Sequence, residues 1–112
     1  MKNIVLSAFL FFSIFSNEAL AEAESKVIID VRTESEWVGG HLQGASHIPL
    51  SEIKNKIKFF EPNQDAEIML YCRSGNRSGK AKTILEDMGY TNVKNIGGIS
   101  SASNTFQIKI IK

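Results

Sequence analysis

This chain has too few cysteines to cross-link itself. Cys72 is the single one in 112 residues, so no internal disulfide can form and the core must hold the fold unaided. Charge of one sign is scarce too. A formal net charge of +1 argues against nucleic acid or an anionic membrane surface as partner. Two histidines and one cysteine in scattered places form no cluster with metal-ligand spacing, and neither a metal nor an organic cofactor is expected. Internal repeats and low-complexity tracts are absent. No apolar run spans a bilayer comfortably, because a spanning helix needs about twenty residues. The longest, Ile4 to Phe15, is broken by Ser7 and Ser13.

What is there begins with that run. Met1-Lys2-Asn3 puts a positive charge before it, Ser16-Asn17-Glu18 follows, and Ala19-Leu20-Ala21 offers small residues for cleavage before Glu22. This is the three-part pattern of a secretory signal peptide. Residues 1–21 are therefore expected to be removed on export, into a bacterial periplasm. No cysteine follows the cleavage point to carry a lipid, so no membrane attachment is expected afterwards. The remaining 91 residues, 22–112, suffice for one small domain and not for two. A lone thiol kept in an oxidising compartment is expected to be reactive.

Within that domain, strands and helices alternate. Val27-Ile28-Ile29 and Val31 are too continuously apolar for a half-exposed strand and suit one buried on both faces. Thr33 caps a short helix, Glu36 completes its capping box, and Gly39-Gly40 ends it. Ala45 to Ile48 is a second strand, stopped by Pro49. Ser51 caps a helix with Ile53, Ile57 and Phe60 on its apolar face. Ile68 to Tyr71 and Val93 to Ile96 are further strands. Between them runs a helix with Ala81, Ile84, Leu85 and Met88 on one stripe, ended by Gly89. Such alternation implies a parallel sheet covered by helices on both faces, with ligands bound outside the carboxyl ends of the strands. Ser100 to Lys112 is left open between an added strand, a short helix and a frayed end. Trp37 and Phe60 are read as core.

Cys72 falls at such a carboxyl end and opens the segment Cys72-Arg73-Ser74-Gly75-Asn76-Arg77-Ser78-Gly79. There the backbone N–H groups of a tight loop and a helix N-terminus converge, which stabilises a thiolate and cradles an oxyanion. A buried structural cysteine would not need Gly75, Asn76 and two arginines immediately behind it. Arg73 and Arg77 each read either as a guanidinium fork for an oxyanion or as half of a salt bridge to a carboxylate. Ser74, Gly75, Asn76 and Ser78 shape the loop. Lys80 and Lys82 read equally as an electropositive mouth or a solvated face. Asp30 and Arg32 read as a structural pair, His41 as a backbone partner, and Gly97-Gly98 as a turn beside the loop. A catalytic part for His47 is left open.

Asp30-Val31-Arg32, Glu36-Trp37, Gly40-His41-Leu42, Gly44-Ala45, Ile48-Pro49, Cys72 to Ser78, Gly89-Tyr90 and Gly97-Gly98 fall in the order and spacing of a rhodanese-like domain. The chain resembles the small periplasmic, single-domain type of that family, from Val27 to about Ile99. His47 stands where the family commonly has Asn. The resemblance implies a three-layer α/β fold and thiosulfate sulfurtransferase activity without a cofactor. Cys72 would carry sulfane sulfur as a persulfide, and Arg73 to Ser78 would bind the donor. The acceptor would be cyanide or a thiol, and the working unit a monomer. Two rivals share the residues. One is a low-turnover persulfide carrier. The other is a cysteine-dependent phosphatase, which wraps its larger phosphoryl group in a longer loop than the four residues between Cys72 and Arg77.

Overall fold

The computed structural model describes residues 26–112, so the expected signal peptide lies outside the described residues. In chain order the elements are β1 (Lys26–Asp30), α1 (Glu34–Val38), β2 (His41–Leu42), β3 (Ser46–His47), α2 (Leu50–Phe60), β4 (Glu67–Cys72), α3 (Asn76–Asp87), β5 (Val93–Gly98), α4 (Ile99–Phe106) and β6 (Ile110–Ile111). Four strands form one parallel sheet in the order β3-β1-β4-β5. The continuous apolar runs of β1 and β4 follow from burial on both faces, since successive side chains point to opposite sides. Ile29, Ile68, Leu70 and Cys72 point into one core, shared with Ile53 and Ile57 of α2 and Ala81 and Leu85 of α3. Ile28 and Tyr71 point the other way, toward Ala102 of α4, Leu42 and Ile108. The result is the expected three-layer α/β fold.

The capping box of α1 is present: Thr33 Oγ1 accepts from Glu36 N–H, and the Glu36 carboxylate accepts from Thr33 N–H. Elsewhere the boundaries and burial differ from expectation. α2 starts at Leu50 behind Pro49, without a side-chain cap from Ser51. The Leu50 N–H donates instead to the Val31 carbonyl at 3.0 Å, tying the helix start to the end of β1. Phe60 is not core. It is 41% exposed on the last turn of α2, and Tyr90 fills the core there with its hydroxyl on the Glu61 carbonyl at 2.7 Å. Trp37 is half-buried and stacks on His41, with ring centroids 3.5 Å apart, and on His47 at 5.0 Å.

The tail holds two elements. α4 ends where Gln107 turns left-handed, and β6 then pairs antiparallel with β2, placing Ile111 opposite His41 and Ile110 opposite Leu42. A two-residue strand has too little periodicity to be read locally. Its partner lies some seventy residues earlier in the chain.

Candidate active site

The chain goes from β1 outward to β3 at one edge, then crosses over to β4 and β5 on the other side. The carboxyl ends of β1 and β4 therefore flank the point where the winding reverses, and connections diverge there to leave a crevice. Asp30 ends β1 and Cys72 ends β4.

The turn after Cys72 depends on glycine at two places. Gly75 has φ +96°, which a residue with a Cβ adopts only under strain, and its Cβ would stand 3.3 Å from the Gly97 Cα. Gly98 lies so close to the loop that a Cβ there would collide with the Arg73 carbonyl oxygen. The loop is thereby pressed onto the end of β5. α3 then begins at Asn76, earlier than its apolar stripe suggests, so Arg77 and Ser78 lie in its first turn.

No side chain caps α3. The Cys72 sulfur occupies that role: Gly75 N–H donates to Sγ at 3.0 Å, the N–H groups of Ser74 and Ser78 converge on it, and Ser78 Oγ lies 3.5 Å away. Burial pushes the thiol up, but the Ser78 hydroxyl and these three N–H groups together outweigh it and bring Cys72 down to about 7. A large thiolate fraction at neutral pH follows. The site can therefore perform nucleophilic chemistry on sulfur.

Arg77 does not reach into open space. Its guanidinium clasps Glu36 of α1 with two parallel bonds, Nη1 to Oε1 at 2.8 Å and Nη2 to Oε2 at 3.0 Å. Arg77 holds the Glu36 carboxyl at about 2, against some opposing burial and with help from Thr33. Glu36 thus completes a capping box and clamps the arginine of the active loop. Its residue type and spacing announce only the first of these tasks. Arg73 is exposed and has no salt bridge among the described residues. Ser74 and Asn76 are exposed beside it, while Ser78 is fully buried.

Asn95 of β5 is a site residue that sequence reasoning missed. Its Oδ1 accepts from Ser78 Oγ at 2.7 Å and from Gly97 N–H at 3.0 Å, and its Nδ2 donates to the Gly75 carbonyl at 3.0 Å. The pairing of β5 with β4 skips Ile96, so that Leu70 faces Asn95 but Tyr71 faces Gly97. Such a bulge re-aims neighbouring side chains, which strand periodicity cannot anticipate.

The flanking residues bind one another and the backbone. Asp30 accepts from the Arg32 backbone N–H at 2.8 Å and from its guanidinium at 2.8 to 3.0 Å, and Arg32 Nη2 also donates to the Gly40 carbonyl at 2.6 Å. His41 Nδ1 meets the Trp37 carbonyl at 3.1 Å and His47 Nε2 the Arg32 carbonyl at 2.8 Å, contacts that need the ring nitrogen as donor. His47 also lines an open groove with Thr33, Ser51 and Lys56, whose walls do not include the Cys72 loop. Among the described residues no group of three or more His, Cys, Asp and Glu could hold a metal ion. No described helix is long and apolar enough to cross a membrane.

Comparison with known proteins gives the family of the chain. The thiosulfate sulfurtransferase PspE of Escherichia coli (strain K12) is 45% identical over 71 residues, covering 63% of this chain and 68% of that protein. The thiosulfate sulfurtransferase GlpE of Pseudomonas entomophila is 33% identical over 89 residues, covering 79% of this chain and 80% of its own. A solved structure of a rhodanese with anions from E. coli superposes with a TM-score of 0.72 at 38% identity, over 78% of this chain and 98% of that one. Residues 16–105 match the Rhodanese-like domain, and the chain belongs to that family.

Proposed function

We propose that this protein is a thiosulfate sulfurtransferase that carries sulfane sulfur on Cys72. The observation that carries the reading is the donor set converging on Sγ, with Gly75 N–H at 3.0 Å and Ser78 Oγ at 3.5 Å. The Cys72 thiolate attacks the outer sulfur of thiosulfate. The sulfur–sulfur bond of the donor breaks, sulfite leaves with its electron pair, and Cys72 is left as a persulfide. Cyanide or a thiolate then takes the outer sulfur, giving thiocyanate or a new persulfide and returning the Cys72 thiolate. The covalent carrier divides one transfer into two easier displacements. The Cys72 side chain is buried, which suits exchange with compact small-molecule partners. The described residues contain both nucleophile and donors, as a monomeric enzyme requires.

Steady-state sulfite release from thiosulfate, with cyanide and with several thiols as acceptors, tests the reading. Acceptor-dependent turnover is expected. Hydrolysis of aryl phosphates together with indifference to thiosulfate would overturn it in favour of the phosphatase.

Arg73 and Arg77 are the candidates for the sulfonate end of the donor, and that the E. coli relative was solved with anions supports anion binding by a protein of this fold. Because Glu36 occupies the fork of Arg77, an incoming sulfonate has to share or displace that carboxylate. Arg77→Lys keeps the charge and loses the two-pronged geometry. Its kcat/KM for thiosulfate should fall about tenfold, or about 1.4 kcal/mol, with a smaller change for an uncharged sulfur donor. An unchanged kcat/KM for both donors would confine Arg77 to the Glu36 clamp and make Arg73 the anion site.

Export rests on the sequence of residues 1–21. The mature protein should be found in the periplasmic fraction, with Glu22 as its first residue on N-terminal sequencing. Cytoplasmic protein retaining Met1 would sink this part of the proposal.

A further inference from the structure

We propose that Asn95 is a positioning residue for the sulfur-carrying cysteine, because its single amide binds two of the residues that donate to Sγ, Gly75 and Ser78. Given Cys72 as the nucleophile, the question is what aims its donors. Gly75 offers its N–H to Sγ at 3.0 Å, and the carbonyl of the same residue is held by Asn95 Nδ2 at 3.0 Å. Ser78 offers its hydroxyl, 3.5 Å from Sγ, and that hydroxyl is held by Asn95 Oδ1 at 2.7 Å. The Gly97 N–H, donating to the same Oδ1 at 3.0 Å, anchors the amide in turn to β5.

The Ser78 hydroxyl has one proton and two acceptors. While Cys72 is a neutral thiol, the short bond to Asn95 keeps that proton. When the sulfur becomes negative, a charge-assisted bond to Sγ is the stronger one. The proton can then turn to Sγ while Oδ1 keeps its bond from Gly97. The amide is suited to this because its oxygen is neutral and releases the proton readily. A carboxylate in the same place would retain the proton and add a negative charge near the thiolate. It would also lose the side-chain donor to the Gly75 carbonyl, leaving that oxygen with the Gly79 N–H at 3.1 Å. Other charged groups at this end of the sheet are the exposed Arg73 and Lys80 and the pairs Arg77–Glu36 and Asp30–Arg32. None of these is a hydrogen-bond partner of Asn95 among the described residues.

The test is the pH dependence of Cys72 alkylation by iodoacetamide in the wild type, Asn95→Ala and Asn95→Asp. Asn95 is exposed, so truncation opens no core cavity, and Asn95→Asp is nearly isosteric. Asn95→Asp should raise the alkylation midpoint by about one pH unit, because the carboxylate retains the Ser78 proton and adds negative charge, and Asn95→Ala, which releases the Gly75 carbonyl but frees the Ser78 hydroxyl for Sγ, should raise it by less. The kcat/KM for thiosulfate near neutral pH should fall in the same order. A lower melting temperature with an unmoved midpoint in either variant would reduce Asn95 to a structural tie and overturn the proposal. The two readings fail separately. A wild type that alkylates with a low midpoint yet never takes sulfur from thiosulfate would refute the sulfurtransferase assignment, while the midpoints of the variants would still decide on Asn95.

Discussion

Replacing Cys72 by serine should abolish sulfur transfer and leave the fold standing. Serine nearly matches the volume, and its oxygen can accept from Gly75 N–H and Ser78 as the sulfur does. An alcohol is not ionised at neutral pH, however, and cannot hold a sulfane sulfur. Turnover of thiosulfate should fall by on the order of 10⁴-fold or more, the scale on which a covalent nucleophile is lost. After incubation with thiosulfate the wild type should gain one sulfur, roughly 32 Da, in the series of cysteine modifications that includes the persulfide. Cys72→Ser should gain nothing. Since Cys72 is the only cysteine of the chain, a mass increase in the variant would place the carrier outside thiol chemistry altogether. Residual turnover at the wild-type rate would remove Cys72 from the mechanism.

Asp30→Ala should produce the largest loss of stability. Asp30 is fully buried and meets an Arg32 guanidinium that is only 7% exposed in its side chain. Without Asp30 the buried cation keeps the Gly40 carbonyl and the face of the Tyr71 ring, 5.7 Å from its centroid, but no negative charge. Removing one partner of a buried pair costs about 3–5 kcal/mol, because the other charge stays desolvated and uncompensated. That is a large part of the roughly 5–15 kcal/mol that holds a domain together. The melting temperature should drop by more than about 10 °C for a domain of this size. The strand ends should suffer first, since Asp30 lies in register with Tyr71, the neighbour of Cys72. Thermal melting followed by circular dichroism reads the effect directly. A melting temperature equal to wild type would show that solvent or another acceptor takes over Arg32.

How much of this was legible beforehand follows from the range of each interaction. The capping box of Thr33 and Glu36, the buried strands and the loop glycines are local patterns, and they stand in the structure at those residues. Boundaries were less secure. α2 begins one residue before Ser51 because a backbone bond to Val31 takes the place of a side-chain cap. Phe60 continues the helical stripe, yet the core at that end is filled by Tyr90, which belongs to a different connection. Trp37 carries the hydrophobicity of a core residue but serves as a stacking surface for His41 and His47.

The sequence by itself determined the kind of site: a lone cysteine at a strand end, a glycine-bearing loop, two arginines, and a helix whose N–H groups point back at the sulfur. Each of those is specified within a few residues of Cys72, where chain geometry alone sets the neighbours. Only the tertiary structure decided what surrounds it. Glu36 reaches Arg77 across 41 positions and Asn95 reaches Ser78 across 17, one from the far side of the crevice and the other through a bulge in β5. No local pattern encodes those pairs, because they exist only once β1, β4 and β5 lie side by side and α1 folds back over their ends.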